Sequence, residues 1–208
     1  MKVLMVNGSP NEKGCTYTAL SEMAKIFEKE GVEYEILQIG KKPVSGCIAC
    51  GACRNKKGAC AIGGDLVNIA LEKAKDADAF VFGSPVHYAA MSGMMTGFLD
   101  RFFQCGEPVY KLKPGAAVVS CRRSGGTAAL DQLNKYFTKS HMPVITAQYW
   151  NCVHGNTPEE VAQDLEGLQN MRSLAQNMVY FLRCIEAGKN AGIEAPQHEE
   201  RIGTNFIR

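Results

Sequence analysis

The stretch GCIACGACRNKKGAC, residues 46–60, places Cys47, Cys50, Cys53 and Cys60 in a C-x2-C-x2-C-x6-C array. Thiols at this density have three chemical readings: a metal or cluster site, a disulfide framework, or a redox dithiol. A C-x2-C-x2-C run wraps three thiolates around one centre, as in bacterial ferredoxin-type loops, and a fourth Cys completes a [4Fe–4S] set. Structural zinc favours two separated pairs, which one loop does not supply. The Cys-Pro that ends ferredoxin runs is absent, since Ala61 follows Cys60. Nine cysteines, an odd number, argue against a closed disulfide framework. The spacing therefore fits a cluster first, free structural or redox thiols second, and zinc third. Lys41, Lys42, Arg54, Lys56 and Lys57 make the loop basic. Those charges would offset an anionic cluster, and they equally suit a solvated loop. Cys105, Cys121, Cys152 and Cys184 read as small apolar side chains.

A second set of candidates lies in turns that follow apolar runs. NGSPNEKGCT (7–16) follows KVLMV and carries Ser9, Asn11, Cys15 and Thr16 ahead of a helical pattern. Hydroxyls and free backbone N–H groups at a helix start suit a phosphate, although a simple helix cap uses the same residue types. Neither G-x-G-x-x-G nor G-x-x-x-x-G-K-[ST] is present, which disfavours a dinucleotide fingerprint and a nucleotide triphosphatase. GSPVHY (83–88) offers Pro85, Val86, His87 and Tyr88, apolar and aromatic surface with backbone polar groups for a flat aromatic ligand. SCRRSGGT (120–127) offers Cys121, Arg122, Gly125 and Gly126, a turn that allows close backbone approach beside cations. No Ser–His–Asp, metalloprotease or paired-carboxylate constellation competes, and no side chain is assigned an acid–base role. His87 and His154 are candidates for ring-edge contacts only.

The elements that must position these turns alternate between strand and helix. Strands are expected at 2–7, 32–39, 79–85, 115–121 and 143–150. Helices are expected at 16–30, 65–75, 92–104, 128–139 and 158–187. Five such units with short loops predict an α/β fold, a doubly wound parallel sheet with helices on both faces. Ligands then bind beyond the carboxyl ends of the strands. At 208 residues, 46% apolar and 21% charged, the chain suits one globular domain. That domain is expected over 1–189, followed by an extension at 190–208. A net charge of +2 gives no footprint for nucleic acid or membrane. The start MKVLMVNGSP lacks a signal-peptide core, and no apolar run is long enough for a membrane span, so a cytoplasmic protein is expected.

GSPNEKGCT, GSPVHYAAMSGMMTGFLDR and the Gly-rich turn after the fourth strand resemble the flavodoxin-like NAD(P)H-dependent FMN reductases. With the array at 47–60, the chain most resembles their iron–sulfur flavoprotein branch. Cys15 and Asn11 stand where Asn and Arg are usual in that family. The resemblance implies a five-stranded sheet of order 2-1-3-4-5 and an FMN-dependent oxidoreductase using NAD(P)H or a protein donor such as a ferredoxin-like carrier. It implies that Ser9, Asn11, Cys15 and Thr16 hold the FMN phosphate. Pro85, Val86, His87 and Tyr88 would line the ring, and Cys121, Arg122, Gly125 and Gly126 its other edge. An electron-transfer or redox-sensing protein without its own small substrate is the alternative. A homodimer or homotetramer is expected, because FLDRFF (98–103), WNCVHG (150–155) and the tail ending TNFIR suggest surfaces between copies.

Overall fold

The computed structural model of the chain describes residues 1–56, 58–200, 202–204 and 206. KVLMVN forms β1 (Lys2–Asn7), in which Val3, Leu4, Met5 and Val6 are fully buried. An unbroken apolar run suits a strand covered on both faces. β1 is indeed interior, paired in parallel with β2 (Glu33–Gln38) and β3 (Ala79–His87). β5 (Gly115–Cys121) pairs with β3, and β6 (Cys152–His154) forms the edge, giving the order β2-β1-β3-β5-β6. β4 (Ala90–Met91) is a short antiparallel return on β3. With that hairpin set aside, the order is the expected 2-1-3-4-5.

Helices cover both faces. On one side α1 (Cys15–Lys29) brings Leu20, Met23 and Phe27 against Met171, Leu174 and Met178 of α7 (Leu165–Asn190). On the other, α2 (Leu66–Ala74), α3 (Gly93–Cys105) and α5 (Gly126–Lys139) close over Phe80 and Phe82. Two further α-helices, α4 (Glu107–Tyr110) and α6 (Pro158–Val161), are single turns. Among the described residues, no helix is long and apolar enough to cross a membrane.

Three expectations are corrected. The fifth strand does not run through 143–150. Val144 makes one isolated bridge to Gly115, the chain then leaves the sheet, and pairing resumes only at Cys152. Asn151 fills the gap: its Nδ2 donates to Ala117 O at 3.0 Å, its Oδ1 accepts from Ala147 N, and its carbonyl accepts from Val119 N. One side chain thus replaces ladder bonds that a continuous strand would have made. The helix expected at 158–187 is two, because Asp164 caps a new start by accepting from Gly167 N at 2.9 Å and also takes His154 N. The segment 98–103 is no surface between copies: Phe98, Leu99, Arg101 and Phe102 are fully buried and Phe103 nearly so. The tail beyond Asn190 has no regular secondary structure where described, and Arg201, Asn205, Ile207 and Arg208 lie outside the described residues.

Candidate functional site

The turns after the strands meet at the carboxyl edge of the sheet. The first turn is tied down by its own polar groups. Ser9 N donates to Asn7 Oδ1, Ser9 Oγ accepts from Asn11 N, and Ser9 O accepts from Gln38 Nε2, at 3.1, 3.1 and 2.6 Å. Ser9 is therefore buried, while Asn11 stands exposed. Thr16 Oγ1 pairs with Ser120 Oγ at 2.8 Å, and both residues are buried. That hydroxyl is directed at the end of β5. Cys15 is half-buried, and its thiol lies 3.7 Å from Gly155 O, which joins the first turn to the one after β6. Burial raises the Cys15 pKa, with a backbone hydrogen bond partly opposing.

The third and fourth turns also touch. Tyr88 and Ala89, with φ of 50° and 58°, form the tip of the β3–β4 hairpin, and Tyr88 is wholly exposed. Pro85 and Val86 below it are half-buried, and His87 is exposed. Gly125 has φ +85°, and a Cβ there would stand 2.8 Å from Ala89 Cα and 3.1 Å from Val86 Cγ1. Only glycine lets the turn after β5 lean on the hairpin. Cys121 and Gly126 are buried beneath this contact, and Arg122 and Arg123 are exposed beside it. Beyond Gly125 a cavity of about 300 Å³ continues between Arg123, Trp150, His154 and Asn170.

Helix capping differs among the helix starts along this edge. Asp65, Ser92 and Asp164 cap α2, α3 and α7 with side-chain oxygens. α1 and α5 start at Gly14 and Gly125 with no side-chain cap. The first backbone N–H groups of a helix without a cap are left for solvent or an anion.

The cysteine array lies elsewhere, packed on α3. Cys47, Cys50, Cys53 and Cys60 all line one cavity of about 150 Å³, with Arg101 and Cys105 in its wall. Cys47 and Cys50 are exposed, and Cys53 and Cys60 half-buried. Among the described residues, no three His, Cys, Asp or Glu side chains are drawn together closely enough to hold a metal ion. The thiols thus surround a common space without converging on one point. The loop enters over Gly97, where a Cβ would come within 2.8 Å of Val44 O and 3.2 Å of Gly46 N. Burial alone would raise the Cys60 pKa, but hydrogen bonding and charge from Arg101 bring it below the ordinary thiol value. Cys105 is pushed up to about 12 by burial and by the neighbouring Cys60 and Cys53. Lys57, one of the loop cations, lies outside the described residues.

Arg101 and Cys105 were missed by the sequence reading, which placed one in a contact between copies and took the other for a small apolar side chain. Cys105 is buried, yet it also fronts the cavity. Cys184, expected inside, is exposed. The available signal was helical spacing: Gly97, Arg101 and Cys105 fall at i, i+4 and i+8 on one face of α3.

A family model described as NADPH-dependent FMN reductase matches residues 1–157. An iron–sulfur flavoprotein from Methanocaldococcus jannaschii is 29% identical over 194 residues, covering 89% of this chain and 100% of the relative. An iron–sulfur flavoprotein from Archaeoglobus fulgidus is 32% identical over 149 residues, covering 69% of this chain and 72% of the relative. Among solved structures, RosB with bound 8-demethyl-8-formylriboflavin-5'-phosphate superposes with a TM-score of 0.70 at 16% identity, over 100% of this chain and 92% of that one. A flavodoxin from the domain Archaea superposes with a TM-score of 0.60 at 16% identity, over 88% of this chain and 99% of that one. These two likenesses speak for the flavodoxin-like fold. With its cysteine array and these relatives, the chain belongs to the NADPH-dependent FMN reductase family, in the iron–sulfur flavoprotein branch.

Proposed function

We propose that the protein is an FMN-dependent oxidoreductase that takes electrons from NAD(P)H or a protein donor and passes them to a second acceptor. The observation that carries this reading is the pair of uncapped helix starts, α1 and α5, at the carboxyl ends of β1 and β5. In open α/β sheets that edge is where ligands bind. The first turn of α1, with Ser9, Asn11, Cys15 and Thr16, would hold the FMN phosphate. Pro85, Val86, His87 and Tyr88 would line the ring, with Cys121, Arg122, Gly125 and Gly126 at its opposite edge. FMN supplies hydride acceptance and single-electron release when bound. The chain's own part is to orient the ring, to shield it with the β3–β4 hairpin, and to set cations beside it through Arg122 and Arg123.

Cys47, Cys50, Cys53 and Cys60 would hold a [4Fe–4S] cluster. Four thiols around one cavity, with a guanidinium behind Cys60, suit an anionic iron–sulfur group by donor chemistry. Such a cluster supplies one-electron transfer. The exposure of Cys47, Cys50 and Ile48 favours a second reading, in which the protein passes single electrons to a carrier and has no small substrate of its own.

Mass analysis of the cofactor released from anaerobically purified protein is expected to give one FMN per chain. Stoichiometric FAD, or no flavin after reconstitution, would overturn the flavin reading. Rapid anaerobic reduction by NADH or NADPH supports the enzyme, and reduction only by a ferredoxin-like carrier supports the shuttle.

Gly125→Ala is expected to raise the FMN dissociation constant at least tenfold, about 1.4 kcal/mol. A side chain at φ +85° is strained by about 1–2 kcal/mol, and its Cβ would also displace the hairpin at Ala89. Fluorescence titration of the flavin measures the change, and an unaltered constant would remove Gly125 from the site.

A further inference from the structure

We infer that Arg101 is the positioning residue of the cysteine site, clasping both ends of the loop and setting the reduction potential of the cluster through Cys60. The inference rests on the cluster reading above and assigns a role to a residue outside the array.

Arg101 is fully buried. A buried guanidinium is costly unless its donors are satisfied. Here all five N–H groups have a partner, and every partner lies in the loop or at its end. Nε donates to Cys60 Sγ at 3.3 Å. Nη1 reaches Ser45 O at 3.4 Å and the Asp65 carboxylate. Nη2 donates to Ile62 O at 2.7 Å and Asp65 Oδ1 at 3.2 Å. Ser45 precedes the first cysteine of the array, and Cys60, Ile62 and Asp65 stand at or after the last. One rigid fork therefore closes the loop on itself.

Two further contacts fix the clasp. Gly97, one turn earlier on α3, is the groove that admits the incoming strand of the loop at Val44. Asp65 caps α2 by accepting from Val67 N, so the carboxylate that pairs with Arg101 is held from its other side. Of the five donors, only Nε meets a sulfur of the array. Hydrogen bonds and positive charge at a cluster sulfur favour the more reduced, more negative state and raise its potential. Lysine keeps the charge but cannot reproduce the fork, and glutamine loses the charge.

The test uses full-length protein purified anaerobically, wild type beside Arg101→Lys and Arg101→Gln. It measures iron and sulfide content, FMN occupancy, and the cluster midpoint by spectroelectrochemistry. Both variants are expected to keep FMN, which reports an intact sheet. Arg101→Lys should hold iron with its reduction equilibrium at least tenfold less favourable, about 59 mV lower for one electron. Arg101→Gln should lose most of its iron. Iron lost from the lysine variant with FMN retained also supports the clasp, since one ammonium cannot span Ser45, Cys60 and Ile62. Wild-type iron content and midpoint in either variant would overturn the inference while leaving the cluster reading intact. Loss of FMN along with iron in both variants would overturn it too, assigning Arg101 to folding alone. A wild-type protein that takes up no iron would refute the cluster reading itself, and the inference with it.

Discussion

Cys50→Ser, purified anaerobically, is expected to fall from about four irons per chain to less than one while keeping stoichiometric FMN. The thiolate is the ligand, and a serine hydroxyl is both harder and far less acidic. Cys50 is exposed, so removing its sulfur uncovers no buried partner. The fold therefore has little reason to respond. The proposed flavin turns belong to the ends of β1, β3 and β5, whereas Cys50 sits in the loop packed on α3. Loss of iron without loss of flavin is the signature of a ligand. A parallel loss of both would mark a structural residue. Cys184→Ser is the matched control, because Cys184 is also exposed but lies on α7, away from the array. Iron analysis and the visible spectrum read the result. A wild-type protein with full activity and no iron would return the four cysteines to a structural role.

The sheet was legible because its strands carry the pattern that burial on two faces imposes. KVLMVN and GAAVVSC contain hardly a polar residue, and a surface strand would alternate. The starts of α2 and α3 were legible to within a residue, since Asp65 and Ser92 stand immediately before apolar periodic segments. The edge of the sheet was not. TAQYW alternates like a strand, yet the side chain of Asn151 takes the ladder positions and leaves Tyr149 and Trp150 exposed. A side chain that substitutes for backbone leaves no periodicity to read. Asp164 was hidden for a related reason: its neighbours continue a helical pattern, and only the bonds to Gly167 N and His154 N make it a boundary. Of the candidate site, the turns and the array could be named from their spacing. The floor of the cysteine cavity could not, because an arginine inside an apolar stripe resembles a surface residue until its five acceptors are known.

Phe82→Ala is expected to cost about 3–5 kcal/mol, the largest stability loss foreseen for a single substitution here. Phe82 lies in β3 between the sheet and the helices that cover it, with no exposure. Five aromatic rings surround it. Phe102 and Phe137 stand at 5.6 Å between centroids, Phe103 at 5.8 Å, Phe80 at 6.2 Å and Phe98 at 6.3 Å. Edge-to-face and stacked contacts of this kind add to the burial of the ring. Three of these neighbours, Phe98, Phe102 and Phe103, belong to α3, the helix that also presents Gly97, Arg101 and Cys105 to the cysteine loop. The void left by alanine would therefore loosen the support beneath that loop as well as the core. Urea denaturation at fixed FMN concentration measures the cost, because bound ligand adds its own stabilisation. Phe82→Leu should recover much of it by refilling the volume. Iron retention at 37 °C should fall in Phe82→Ala before FMN retention does, since α3 touches the loop directly. A loss under about 1 kcal/mol, below the range for deleting a buried ring, would mean that the aromatic cluster is not the packed centre the structure describes.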